Sequence, residues 1–334
     1  MPQKSAFTNV AMAAALEDTS VTYEDLADIE KDFDDVETEI IKQQVALTAP
    51  LYTRRDKTVS QIPNFWPLVL EQAPPDIDQY IQPSDSALLL SSLAGLSVSH
   101  FELTQQPEGD PRSVSIKWTF TENEYFEDTV LEKKFWHRKG KDGWSGLVSE
   151  PVPIKWKKGK DLTGGLLDLV CKSWEAGIKE PKDKSKGPTA AEKALKKQIE
   201  STGMGGLSFF AWFGFIGQRI SKEESDDAKM KEAERRTLRK SGQEVSDEPE
   251  AEDEDDDEDD ELSLEIFPEG DDLAVAIAED LWPGAIRYFT QAQEQDALSD
   301  ADFESDDEEL AGLLNADSEN EDSDSERPSK KQKH

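Results

Sequence analysis

The chain has 334 residues, 34% of them charged, and its formal net charge is −36 at pH 7. A mean hydropathy of −0.73 is too polar for a compact fold throughout, so part of the chain is expected to be disordered. The acidic balance argues against duplex DNA or an anionic membrane as a direct partner, because affinity for phosphate comes from Lys and Arg, and it predicts a basic partner.

Residues 1–20 are expected to form a flexible N-terminus, and a long helix is predicted at 21–60. Thr22 and Asp25 match a capping pattern at its start. Apolar residues then recur at alternating three- and four-residue steps, at Leu26, Ile29, Phe33, Val36, Ile40 and Leu47. A helix of about 55 Å cannot bury this seam on a small domain, which favours pairing with a second copy over an ordinary core helix. A bend is expected at Pro50.

The next part, 61–218, is predicted to be an α/β domain. Ser84–Leu93 has the pattern of a short helix, with Ser84 or Asp85 as its cap and Gly95 as its stop. Four segments are candidate strands of a small antiparallel sheet with helices on one side: 97–103, 113–120, 130–137 and 152–156. A loop is expected at about 179–205, and within it the basic stretch 183–197 ends in a helical pattern. The aromatic segment 203–215 is expected to dock onto the core.

A charged insertion is predicted at 219–262. Within it, Lys222–Lys240 reads as a solvated helix without an apolar face, and 247–261 is an acidic run that cannot offset its ordering entropy and is expected to be disordered. Order is predicted to return in C-terminal helices at 263–297. Their core candidates are Leu273, Ile277, Leu281, Trp282, Ile286, Tyr288 and Phe289.

Residues 298–334 are predicted to form a disordered acidic tail. Between 244 and 326 the chain has 35 acidic side chains and one base, Arg287. A basic cluster near the end is readable as a nuclear import signal and contains Lys330, Lys331 and Lys333. Four serines precede an acidic residue by three positions, a pattern typical of an acid-directed kinase: Ser299, Ser305, Ser318 and Ser323.

No motif indicates catalysis. The three histidines are far apart and do not have metal-ligand spacing with the single cysteine, Cys171. The glycines near Gly203 lack the spacing of a dinucleotide-binding loop, and Gly159 and Lys160 lack the rest of a P-loop. The predictions are therefore no enzyme activity, no cofactor and no metal. The lone cysteine and the absence of an apolar run of membrane-spanning length favour the cytosol or nucleus.

Five segments, in this order, resemble the nucleosome assembly protein family and its SET (template-activating factor) branch: IPNFW (62–66), FTENEYFEDTVLEKKF (120–135), IKWKKGKDLT (154–163), SFFAWF (208–213) and DLWPGAIRYF (280–289). The resemblance implies an α+β fold in which a long dimerisation helix carries an "earmuff" domain, an antiparallel sheet covered by helices. It further implies a homodimeric histone chaperone of the nucleus, with shuttling to the cytoplasm. Such a protein binds core histones, assists nucleosome assembly and disassembly, reaches DNA only through histones and does not contact membranes.

The resemblance also places a histone-binding surface on the underside of the earmuff. The candidate residues are Glu265, Glu269, Asp271, Asp272, Glu279 and Asp280. Capping of the helix that begins near Asp271, or simple solubility, is the competing explanation for these carboxylates. The insertion departs from the SET branch, and its basic helix and acidic run could fold back over the domain.

Two other functions are compatible with the sequence. SET-branch relatives resemble regulatory subunits or inhibitors of chromatin enzymes, namely a histone acetyltransferase or a protein phosphatase. A nucleic-acid-binding role for the basic helix Lys222–Lys240 is the third hypothesis, and it would require DNA binding that persists without the acidic runs.

Overall fold

The computed structural model describes five ranges of the chain: 21–106, 108–179, 189–202, 206–241 and 264–297. The predictions for residues 1–20, for the acidic run at 247–261 and for the tail from 298, including its lysines and serines, lie outside the described residues. Within the described ranges no helix has both the length and the apolar character of a membrane span.

The first helix, α1, extends over 37 residues from Tyr23 to Val59. It begins as predicted, because the Thr22 hydroxyl accepts the Asp25 N–H at 3.2 Å while the Asp25 carboxylate accepts the Thr22 N–H at 2.9 Å. The helix continues without interruption through Pro50. The described residues of α1 are buried only near its C-terminal end, at Arg55 and Val59.

Between α1 and residue 202 the described residues form six short or medium helices. Their bounds are α2 at Phe65–Glu71, α3 at Pro75–Asp78, α4 at Pro83–Ser92, α5 at Phe101–Gln105, α6 at Leu166–Lys179 and α7 at Ala190–Thr202. In α4 the predicted cap, Ser84 or Asp85, is wrong by two or three residues, because Gln82 is the cap and Asp85 is the third helical residue. The prediction of a loop over the whole of 179–205 is wrong, because this range contains α7, which packs against α6 and buries Leu195.

The sheet has four antiparallel strands in sequential order. They are β1 at Leu93–Ser99, β2 at Val114–Phe120, β3 at Val130–Lys139 and β4 at Ser145–Ser149. Two predicted strand positions are wrong. Residues 101–103 belong to α5, and Trp156 forms only an isolated bridge with Phe126, since β3 pairs instead with 145–149. Gly95, predicted to stop a helix, lies within β1.

An aromatic segment fills the space beside the sheet, as the sequence predicts. The 3-10 helix Phe209–Gly214 is buried at every residue. The Trp212 ring stacks on Phe135 of β3 with centroids 5.4 Å apart, and its indole N–H donates to the Gly270 carbonyl at 2.7 Å. The segment thereby joins the sheet to the C-terminal helices.

The charged helix α8, at Lys222–Lys240, has the predicted bounds and begins with a capping box between Ser221 and Glu224. The prediction that it is fully solvated is wrong. Ser225 and Ala228 are buried against β3, because the face that packs is polar and small and therefore leaves no apolar periodicity in the sequence.

The C-terminal part consists of α9 at Gly270–Ala276, a π-helical turn at Ile277–Leu281 and α10 at 285–297. Most of its predicted core residues are buried or partly buried against the core. The exception is Ile286, whose side chain is 56% exposed, so its assignment to the core is wrong. The mixture of helices with one antiparallel sheet confirms the predicted α+β class.

Candidate functional site

Three exposed carboxylates surround Tyr80 and form the acidic patch, which we define as Asp76, Glu269 and Asp272. Packing of α3 against α9 brings them together from separate parts of the chain. The Tyr80 hydroxyl donates to the Glu269 carboxylate, and its ring lies 5.1 Å from that of Phe267. Burial, this hydrogen bond and the charges of the three carboxylates raise the pKa of Tyr80.

Asp76 was missed by sequence reasoning. It lies in the short Pro-Asp-Ile-Asp helix α3, more than 190 residues from Glu269, and only packing of α3 on α9 shows that they share a surface. The available signal was the position of Asp76 and Asp78 in the first turn after a proline, which predicts a helix start but not its neighbours.

The Glu265 carboxylate is hydrogen-bonded to the backbone of the protein. Its carboxylate accepts backbone N–H groups of Ile216 at 2.9 Å, Gly217 at 3.1 Å and Phe267 at 3.0 Å. Burial, which outweighs these three hydrogen bonds, raises its pKa. The side chain thus fixes the segment that leads into α9 rather than presenting a free charge.

The remaining candidates differ in how free their charges are. Asp271 is partly buried in the first turn of α9, and burial raises its pKa. Glu279 is exposed. Asp280 accepts the Arg287 guanidinium and the Tyr288 hydroxyl, both at 2.8 Å, so Arg287 compensates its charge. The structure therefore brings Glu269 and Asp272 into one patch with Asp76 and gives Glu265 and Asp280 protein partners of their own.

The α1 seam, which we define as the six predicted pairing residues, is exposed along its whole length. Exposure ranges from 44% at Leu26 to 73% at Leu47, with Ile29, Phe33, Val36 and Ile40 between these values. Leu51, at 53%, continues the row. A contiguous apolar row of this kind on a charged helix is typical of an interface.

Among the described residues, no group of three His, Cys, Asp or Glu side chains is placed to hold a metal ion. Cys171 is a free, buried thiol, and burial raises its pKa to about 11, which makes it a poor nucleophile.

Comparison with known proteins identifies the family. The profile of the nucleosome assembly protein family matches residues 16–292. The chain belongs to this family. A putative nucleosome assembly protein of Schizosaccharomyces pombe is 31% identical over 84% of this chain and 83% of its own length.

A further relative and a solved structure are also similar to this chain. Vacuolar protein sorting-associated protein 75 of Saccharomyces cerevisiae is 26% identical, with coverage of 90% of this chain and 85% of the relative. The solved structure of the Vps75 histone chaperone is 24% identical, covers 80% of this chain and 97% of that one, and superposes with a TM-score of 0.48. The family resemblance deduced from the five sequence segments is confirmed by the profile match and by the S. pombe relative.

Proposed function

We propose that the chain is a histone chaperone that binds core histones as a homodimer and assists nucleosome assembly and disassembly. Membership of the nucleosome assembly protein family carries this proposal. The net charge of −36 supports it, because histones are basic and are held on DNA by their Lys and Arg side chains.

The acidic patch is the proposed histone-binding surface of the folded body. Asp76, Glu269 and Asp272 are exposed carboxylates, so they can exchange water for a basic side chain without leaving a buried charge unpaired. Contacts between exposed charges are weak and screened by salt, which favours rapid capture and release of a histone. Exposed Glu279 is proposed to extend this surface along the π-helical turn. Asp271, which is partly buried, and Asp280, which is paired with Arg287, are weaker candidates for histone contact, and Glu265 is proposed to support the surface by holding the segment before α9.

Dimerisation through the α1 seam is the second part of the proposal. The seam residues are exposed in the single chain, and their burial against a second copy would remove apolar surface from water at about 25 cal/mol per Å². A symmetric pair of chains would present two acidic patches to one histone complex, which raises the effective concentration of carboxylates.

The test is the affinity of the full chain for purified core histones at one moderate salt concentration. The patch variant is Asp76→Asn with Glu269→Gln and Asp272→Asn. The matched control removes three exposed charges from α8, as Asp226→Asn with Asp227→Asn and Glu234→Gln. We expect the patch variant to bind about tenfold more weakly and the control to bind within about twofold of the original chain.

The outcomes separate the hypotheses. Equal losses in both variants would show unspecific charge attraction and refute the assignment of the patch. A folded dimer that binds no histone would refute the chaperone function and favour the regulator of a histone acetyltransferase or phosphatase. For localisation we propose the nucleus, with shuttling to the cytoplasm. The import lysines Lys330, Lys331 and Lys333 lie outside the described residues.

A further inference from the structure

Among the described residues, helix α8 contacts both the sheet and the N-terminal half of α1. Its inward face is a row of mostly polar side chains at helical spacing, namely Ser225, Ala228, Lys229, Glu232, Arg236 and Arg239. The first part of this row contacts the sheet, and the last part contacts α1.

The sheet end of α8 is held by buried and partly buried contacts. The Ser225 hydroxyl accepts the Lys139 N–H of β3 at 2.9 Å, and the Lys139 ammonium lies 2.6 Å from the Glu232 carboxylate. Ala228 is only 8% exposed, and the Lys229 ammonium lies 3.4 Å from Asp110. This end is thus packed as well as ion-paired.

The α1 end is held by ion pairs. Arg236 forms a fork to Asp32 and Asp35, with 3.3 Å to the Asp35 oxygen, and Arg239 lies 2.9 Å from Asp28. Arg239, the later of the two arginines, contacts Asp28, the earliest of the three aspartates, so α8 runs antiparallel to α1. The basic half of α8 therefore matches the acidic half of α1 in both charge and direction.

The contact leaves the α1 seam free. Asp28, Asp32 and Asp35 share one face of α1, because they are four and three residues apart. At 100° per residue this face points about 110° away from the direction of the seam residues. Binding of α8 and pairing with a second copy are therefore compatible.

We propose that α8 is an electrostatic brace that fixes the direction of the N-terminal half of α1 relative to the sheet. Among the described residues of α1, the buried ones are Arg55 and Val59, which lie at its C-terminal end. Because the contacts with β3 include packed side chains and those with α1 are partly exposed ion pairs, we expect salt to release the α1 end first. In a dimer, the brace would set the orientation of the two folded bodies relative to each other. The proposal depends on contacts within one chain and is independent of histone binding.

Hydrogen exchange of the full chain tests the contact. The brace variant is Arg236→Gln with Arg239→Gln, and the matched control is Lys231→Gln with Arg235→Gln on the exposed side of the same helix. We expect amides at 233–241 to exchange about threefold or more faster in the brace variant, with 222–229 unchanged. Salt at about 0.5 M should reproduce the effect in the original chain.

A charge swap separates the ion pair from a general effect on helicity. Asp28→Arg alone should accelerate exchange at 233–241, and adding Arg239→Asp should restore protection, because each of these two residues has the other as its ion-pair partner. Equal exchange in the brace variant and its control would overturn the brace, as would a folded swap variant that stays unprotected.

The direction of α1 is measured by spin labels on exposed positions 30 and 141, with the labelled chain diluted into unlabelled protein so that distances within one chain dominate. The distance distribution should broaden in the brace variant and stay narrow in the control. An unchanged distribution in the brace variant would refute the proposed role in fixing α1, even if the exchange rates respond.

Discussion

Asp85→Ala removes a buried carboxylate that joins α4 to the aromatic segment. Asp85 is fully buried and accepts three hydrogen bonds, from the Ser208 hydroxyl at 2.6 Å, the Phe209 N–H at 2.7 Å and the Gln82 N–H at 3.0 Å. Its removal leaves the Ser208 hydroxyl and the Phe209 N–H buried without this acceptor. The 3-10 helix that packs against the sheet begins at this point.

The magnitude follows from two opposing effects. Each hydrogen bond to a charged group contributes about 1.5–3 kcal/mol to the free energy of unfolding. Burial of the carboxylate acts in the opposite sense and raises the pKa of Asp85 in spite of its three donors. The expected net loss is about 3–5 kcal/mol, as for other buried groups whose partners are left behind.

The assay is urea unfolding followed by tryptophan fluorescence, at one protein concentration because dimer stability depends on it. Ser208→Ala removes one of the three donors and should cost about 1–2 kcal/mol. Asp78→Ala, an exposed carboxylate of α3, is the control and should change stability by about 0.5 kcal/mol or less. A loss below about 1 kcal/mol for Asp85→Ala would refute the reasoning.

Three other outcomes are expected. Burial alone would raise the pKa of Asp110, but its contacts with His137 and Arg112 hold that pKa well below 3.8. Asp110→Asn should therefore be less stable than the original chain at neutral pH, and this difference in stability should become smaller below about pH 4, where the carboxylate of the unfolded chain is protonated. A stability difference between Asp110→Asn and the original chain that stays constant as the pH is lowered would contradict this. Phe33→Asp, at a seam position that is 67% exposed, should give a folded monomer by light scattering, and a persistent dimer would place the interface elsewhere. Arg55→Lys keeps the charge but loses the planar contacts with the rings of Tyr52 and Trp282, so stability should fall by about 1–2 kcal/mol, and an unchanged urea midpoint would refute that role.

The acidic site was only partly predictable from the sequence. Family resemblance directed attention to 265–280, and Glu269 and Asp272 lie there on the surface. The same stretch contains Glu265, whose role as an acceptor for three backbone groups depends on the loop at 216–217 packing beside it. A run of carboxylates does not reveal which of them are already hydrogen-bonded.

The partners of Arg55, on helix α1, were likewise not predictable from the sequence. Its position near the end of α1 suggests a favourable interaction with the helix dipole. In the structure its guanidinium instead lies 4.5 Å from the Trp282 ring and donates to the Trp282 carbonyl, 227 residues away. Burial lowers its pKa.

The sequence by itself determined the elements whose signals are local. A capping pattern and a repeating seam predicted the start, length and exposed apolar face of α1, because hydrogen bonds three residues apart and a 3.6-residue period act within one helix. The bounds of α8 were likewise predicted from its charged helical segment. Alternating apolar residues likewise located β2 and β3.

Only the tertiary structure decided which of these elements touch. The edge strand at 145–149 exists because β3 offers it backbone partners, and α8 is docked because Asp28 lies opposite Arg239, 211 residues away. Polar side chains carry no periodic apolar signal, and an ion pair depends on distance in space rather than along the chain. For that reason the acidic patch and the contact of α8 with α1 emerge only when the chain is folded.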